Sequence, residues 1–167
     1  MAQEMHRDAV ISADGVHRYS LTRYWDYGPP VVFVMLNPST ADGMVDDPTI
    51  RRCVGFARDW GFPGLVVVNL FTVRAADPAD LVLAVKAGKF GSDERATRDE
   101  HIRSAFAQSS SGPIAAWGAH KLASDERAGV MSLCPADRHW SHLGVTSKGA
   151  PKHPLYLKKS TARQEWR

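Results

Sequence analysis

Two apolar runs without alternation organise the chain. Val31-Val32-Phe33-Val34-Met35-Leu36 and Gly64-Leu65-Val66-Val67-Val68 contain no polar side chain, the pattern of strands buried on both faces of a parallel sheet. Each ends in polar punctuation: Asn37-Pro38-Ser39-Thr40 follows the first and Asn69 the second. Between them Ile50, Cys53, Val54, Ala57 and Trp60 recur at helical spacing. Asp47 and Pro48 ahead of them predict an N-cap and a first helical position, and Gly61 a stop. Upstream, residues 9–25 alternate loosely around Asp14-Gly15, a dipeptide suited to tight turns, which predicts an N-terminal β-hairpin.

Downstream the alternation of strand and helix continues. Asp77-Pro78 opens a helix to about Lys86, and Ser92 caps another across 94–106, with Asp93 and Glu94 suiting its positive end. Pro113-Ile114-Ala115-Ala116-Trp117 predicts a third strand closed by Gly118, followed by a helix over 120–127 and a fourth strand near 140–145. The expected fold is therefore α/β: a three-layer sandwich with a four-stranded, mostly parallel sheet plus the hairpin. The 167 residues fit one domain. Within it we expect a hairpin unit at 1–27, a core at 28–157 and a basic tail at 158–167.

Composition narrows the compartment more than the function. The apolar runs fall far short of the ~20 residues that span a bilayer, and the first residues lack the charged-then-apolar pattern of a secretion signal, so the cytoplasm is expected. Cys53 and Cys134 are far apart and give neither a metal spacing nor a disulfide framework. The net charge of +3 permits nucleic-acid binding without requiring it. Lys148, Lys152, Lys158, Lys159, Arg163 and Arg167 crowd the C-terminal part, which reads most simply as a solvated basic tail.

In an α/β sheet ligands bind beyond the carboxyl ends of the strands, so Asn37, Asn69 and the Trp117-Gly118-Ala119-His120 segment converge by topology. Singly, each is explained as a turn or a strand end. Asp42, Asp46 and Asp47 read as loop and helix-capping residues, and no metal or cofactor is expected. His139 and His142 lack a partner at ligand spacing. Arg51 and Arg52 read as solvent-facing, and Trp25, Trp60 and Trp140 as core.

Taken together and in order, these segments resemble the uracil-DNA glycosylase superfamily over about residues 31–157. Val34-Met35-Leu36-Asn37-Pro38-Ser39 is similar to its first motif, a strand ending in an Asp-Pro or Asn-Pro loop that holds the hydrolytic water. Asp47-Pro48-Thr49-Ile50 is similar to its proline–serine helix start, and the strand 65–69 with Thr72-Val73-Arg74 to the strand whose terminal Asn reads the base. Ala115-Ala116-Trp117-Gly118 and Lys152-His153-Pro154-Leu155 resemble its Trp-Gly strand end and late His-Pro loop. Leu155 stands where the superfamily has serine, Arg74 follows Asn69 by one residue fewer than in the best-known branch, and Asn37 replaces the Asp of the fastest branch. Leu-Asn-Pro-Ser-Thr-Ala-Asp and His-Pro-Leu-Tyr-Leu also resemble an uncharacterised bacterial and phage family, numbered 1643.

The resemblance implies a nucleobase pocket acting on DNA or a nucleotide, as a DNA glycosylase for uracil or a modified or mismatched pyrimidine. It makes Asn37 and His153 catalytic, Asn69, Pro38 and Ser39 base-binding, and Thr49, Arg74 and Lys152 contacts to phosphate. Two other readings are a non-catalytic or differently catalytic binder of a modified nucleotide or DNA end, and a protein-interaction module on the same fold.

Overall fold

A computed structural model describes residues 4–167; the first three residues of the expected hairpin unit lie outside it. Strands β1 (His6–Ile11) and β2 (Arg18–Tyr24) form the predicted hairpin, with Val10 opposite Ser20. Strands β3 (Val31–Met35) and β4 (Gly64–Asn69) are the two apolar runs, every residue of both buried, and they pair in parallel with Met35 beside Asn69. Helix α1 (Pro48–Asp59) lies between them in sequence. Asp47 caps it by accepting from the Ile50 N–H at 2.9 Å, so the predicted start is where the first-turn amides find their acceptor.

Helix α2 (Pro78–Lys86) is capped by Asp77 in the same manner. The cap of helix α3 (Ser92–Gln108) falls one residue before the expected Ser92: Gly91 holds that position, and its N–H donates to the Glu94 carboxylate at 2.7 Å. Strand β5 (Ile114–Ala115), helix α4 (Ala123–Met131), strand β6 (Ser141–His142), a 3-10 turn (Pro154–Tyr156) and strand β7 (Gln164–Glu165) complete the chain.

The four-stranded sheet expected from the sequence is instead a mixed sheet of seven strands in the order β1-β2-β4-β3-β5-β6-β7. The four central strands run parallel, and antiparallel partners are added at both sides. The hairpin does not stand apart as a cap: β2 pairs with β4, Leu21 opposite Val67. The basic tail is not free either. Gln164 and Glu165 pair with β6, Trp166 donates its N–H to Trp140 O at 2.7 Å, and its ring packs 5.9 Å from that of Trp117.

Alternation along the central strands divides the core in two, as side chains of successive residues must face opposite sides of a sheet. Val32, Val34, Val66 and Val68 pack with Leu81, Ile102 and Val130 of α2, α3 and α4. Val31, Phe33, Met35, Leu65 and Val67 pack with Ile50, Cys53 and Phe56 of α1. Helices therefore cover both faces. No helix is long and apolar enough to cross a membrane.

The aspartates of the loop before α1 have structural partners. Arg23, fully buried, donates to Asp46 at 2.8 Å and to the carbonyls of Asp42 and Asp8. Asp42 accepts from the N–H groups of Met44 and Val45. Asp46 also pairs with Arg7 at 2.9 Å. The loop 41–47 is thus fastened to the hairpin by a charged side chain that has no contact with water.

Candidate functional site

The parallel strands deliver Met35 and Asn69 to one end of the sheet. Asn69 continues the alternation of Leu65 and Val67 and so faces the α1 side, where Asn37, Ser39, Thr40 and Asp47 of the loop 37–47 line the same cavity. The result is a cavity of about 390 Å³ lined by Asn37, Ser39, Thr49, Asn69 and His153, with Trp117 as one wall. Five residues assigned to a site from the sequence thus lie together, although the first and last are far apart in the chain. Pro38, Arg74 and Lys152 do not line it. Pro38 is buried, its carbonyl accepting from Ala75 N–H. Arg74 turns toward the carbonyls of Gly15 and Thr40 at 3.4 and 3.5 Å, and Lys152 is exposed outside the cavity.

Asn69 is 2% exposed, and neither its amide nitrogen nor its amide oxygen has a hydrogen-bond partner among the described residues. Burying such a group unsatisfied costs about 1–3 kcal/mol, so a ligand offering one donor and one acceptor would complete it. Asn37 differs. Its amide nitrogen donates to Ala75 O at 2.9 Å and Pro38 O at 3.0 Å, which ties the loop after β3 to the segment after β4. Facing carbonyls fix the orientation of that amide, and its oxygen is left to accept from elsewhere.

His153 caps the 3-10 turn: its Nδ1 accepts from the Leu155 N–H at 3.2 Å. An accepting Nδ1 carries no proton, so the neutral ring bears its hydrogen on Nε2. Burial lowers the His153 pKa below the ordinary histidine value, with Asp47 opposing the shift, so the ring is neutral at neutral pH. Gly118, at φ +76°, makes the turn after Trp117 that passes close to His153. The turn itself is fastened to α1, where Arg52 donates to Leu157 O.

Burial also lowers the pKa values of His101 and His142. A histidine whose folded pKa lies below its unfolded one binds fewer protons in the native state, so stability falls as pH drops through the ordinary value of about 6.5. We expect the melting temperature to decline between about pH 7.5 and pH 5.5, above the range where carboxylates titrate. A flat profile there, measured by circular dichroism, would contradict the burial of these rings.

The sequence reading missed Arg18. It opens β2, is 2% exposed, and lines the same cavity, with Nη1 donating to Ala41 O at 3.0 Å and Nε unpartnered among the described residues. Asp47 also lines the cavity, but both its oxygens accept backbone N–H groups, from Ile50 and Ala41. A second, larger depression of about 470 Å³ lies at the other end of β2 around Tyr24, Trp25 and Tyr27. None of its residues carries an orphaned buried polar atom, and the strand-end cavity is the better site. Among the described residues no group of three or more histidine, cysteine or carboxylate side chains is arranged to hold a metal ion.

The cavity lies at the strand ends, where α/β sheets take their ligands, and it brings together the unpartnered amide of Asn69 and the partly unpartnered guanidinium of Arg18 among the described residues. The chain belongs to the family described as protein of unknown function (DUF1643), which matches residues 18–155, a span that holds Arg18 and His153 alike. No curated protein and no solved structure matches it.

Proposed function

We propose that the cavity is a nucleobase pocket, and that the protein hydrolyses the N-glycosidic bond of uracil or of a modified or mismatched pyrimidine in DNA, on a uracil-DNA glycosylase-like core. The observation that carries this reading is the doubly unpaired amide of Asn69 inside a cavity it shares with Asn37 and His153. An amide oxygen and an amide nitrogen side by side match the donor and acceptor of a uracil pairing edge. In the reaction the bond from the sugar carbon C1′ to N1 breaks, its electron pair leaves with the base, and the oxygen of water bonds to C1′; the water's proton passes to solvent and the departed base anion takes one up. Asn37 holds that water through its amide oxygen, and His153 donates from Nε2 to a base oxygen as negative charge builds there. An amide is a weak general base, so the rate should lie below that of a carboxylate enzyme.

Leu155 favours a second reading. It lines the cavity where the resemblance expects a phosphate-holding serine, which suits a binder of a modified nucleotide or DNA end better than an enzyme that grips a duplex. Incubation with labelled oligonucleotides carrying uracil, a thymine mismatch or hydroxymethyluracil, followed by alkali, decides between them. Cleavage at the modified position supports the glycosylase, and retention of the oligonucleotide without cleavage supports the binder. If cleavage occurs, His153→Ala should slow the single-turnover rate about 100-fold or more while leaving substrate binding nearly unchanged. A folded His153→Ala variant that cleaves at the wild-type rate would remove the histidine from the mechanism.

A further inference from the structure

We propose that Arg18 contacts the bound base, donating from its guanidinium to an acceptor that carries or develops negative charge. The inference rests on the reading of the cavity as a base pocket. Arg18 is as buried as Asn69, lines the same cavity, and has a backbone carbonyl, Ala41 O, as its hydrogen-bond partner among the described residues. Its Nε is buried and unpaired among the described residues. The nearby carboxylate of Asp47 is committed to backbone N–H groups and forms no ion pair with Arg18. Burial lowers the Arg18 pKa to about 10, which leaves the guanidinium charged at neutral pH. A buried cation with an unused donor is costly unless something completes it, and a ligand in the cavity can.

The charges around the cavity indicate what kind of ligand. Arg18 and Asp47 carry opposite unit charges and His153 is neutral, so the lining has no net charge to hold a phosphate dianion, which would meet Asp47. A neutral base that gains one delocalised negative charge as its glycosidic bond breaks is a better match: it draws on the Arg18 field without bringing a second charge toward Asp47. Because Asn37 activates water weakly, stabilising the departing base carries a larger share of the reaction, and His153 supplies a hydrogen bond but no charge. Arg18 supplies the charge.

Binding of free bases tests this without any turnover. Thymine and 5-nitrouracil carry substituents of similar reach at ring position 5, but only the second is an anion at neutral pH. By titration calorimetry the wild-type protein should bind 5-nitrouracil at least about 10-fold more tightly than thymine, as a charge-assisted hydrogen bond allows. Arg18→Gln should bring the two within about 3-fold, Arg18→Lys should retain part of the preference, and Asn69→Ala should weaken both bases alike. Equal wild-type affinities for the two bases, or a preference that survives Arg18→Gln, would overturn the role of Arg18 and leave the base pocket standing. Absence of binding to either base, or binding of inorganic phosphate in their place, would overturn the base pocket and this inference with it. Should Arg18→Gln fail to fold, the wild-type ratio decides.

Discussion

Replacing Asn69 with leucine is expected to raise the melting temperature of the ligand-free protein while abolishing base binding. The two side chains have the same number and branching of heavy atoms, and Asn69 sits at 2% exposure beside Met35 with both amide atoms unpaired among the described residues. Removing an orphaned buried polar group recovers about 1–3 kcal/mol. For a domain of this size each kcal/mol shifts the melting temperature by about 2–4 °C. On the proposed function the amide is a cost to the ligand-free protein that a bound base offsets, the exchange expected where stability is given up for function. Differential scanning calorimetry of both proteins, paired with calorimetric titration by uracil, measures the two effects. A lower melting temperature with base binding intact would show that Asn69 serves the fold and not the ligand.

Removing the Glu126 carboxylate should be among the most destabilising single changes in the chain. Arg98 and Glu126 have side chains 4% and 7% exposed and meet at 2.6 Å, linking α3 to α4. The same guanidinium nitrogen donates to Leu70 O at 2.8 Å, directly after Asn69, and the guanidinium also meets Asp99. Breaking a buried pair from one side leaves a charge in a low-dielectric interior at a cost of about 3–5 kcal/mol, and the surviving Asp99 contact places Glu126→Ala at the lower end. Arg95, with its side chain 44% exposed, also meets Glu126 but adds little, because solvent screens it. The double replacement Arg98→Met with Glu126→Met should recover most of the loss. Urea denaturation of the single and double variants tests the account, and a Glu126→Ala variant within about 1 kcal/mol of the wild type would refute it.

What could be read from the sequence follows how local each signal is. Strands β3 and β4 and the start of α1 are written in contiguous residues: an unbroken apolar run, and an aspartate followed by proline. Strands β5 and β6 have only two paired residues each, so the longer runs predicted over 113–117 and 140–145 are mostly loop that continues past the ladder. The pairing of Leu21 with Val67 depends on partners far apart in sequence, and nothing within the hairpin announces it. Trp166 reads as part of a charged tail until Trp117 and Trp140 are known to stand beside it.

The same locality explains the site. Asn37, Asn69 and His153 end strands or head turns and are conspicuous there. Arg18 sits in an alternating strand where a charged residue reads as solvent-facing, and it is buried only because the loop 37–47 folds over that face. Arg18, Leu21 and Arg23 are all buried along β2, a spacing that follows from the irregular register opposite Val10 and Ile11 and that no alternation in the sequence announces. Arg23 has a carboxylate and several carbonyls as partners, whereas Arg18 has one carbonyl, with Nε unpaired among the described residues.

Arg23 also bears on how a ligand is received. The loop 37–47, several of whose residues line the cavity, is held by a guanidinium with no solvent exposure, bonded to Asp46 and Asp42 O of the loop and to Asp8 O of β1. Such a wall is already ordered before anything binds. The entropy of fixing it is spent during folding and not at association, so more of the contact energy within the cavity would remain as affinity, and on the proposed function few contacts then suffice to hold a single base.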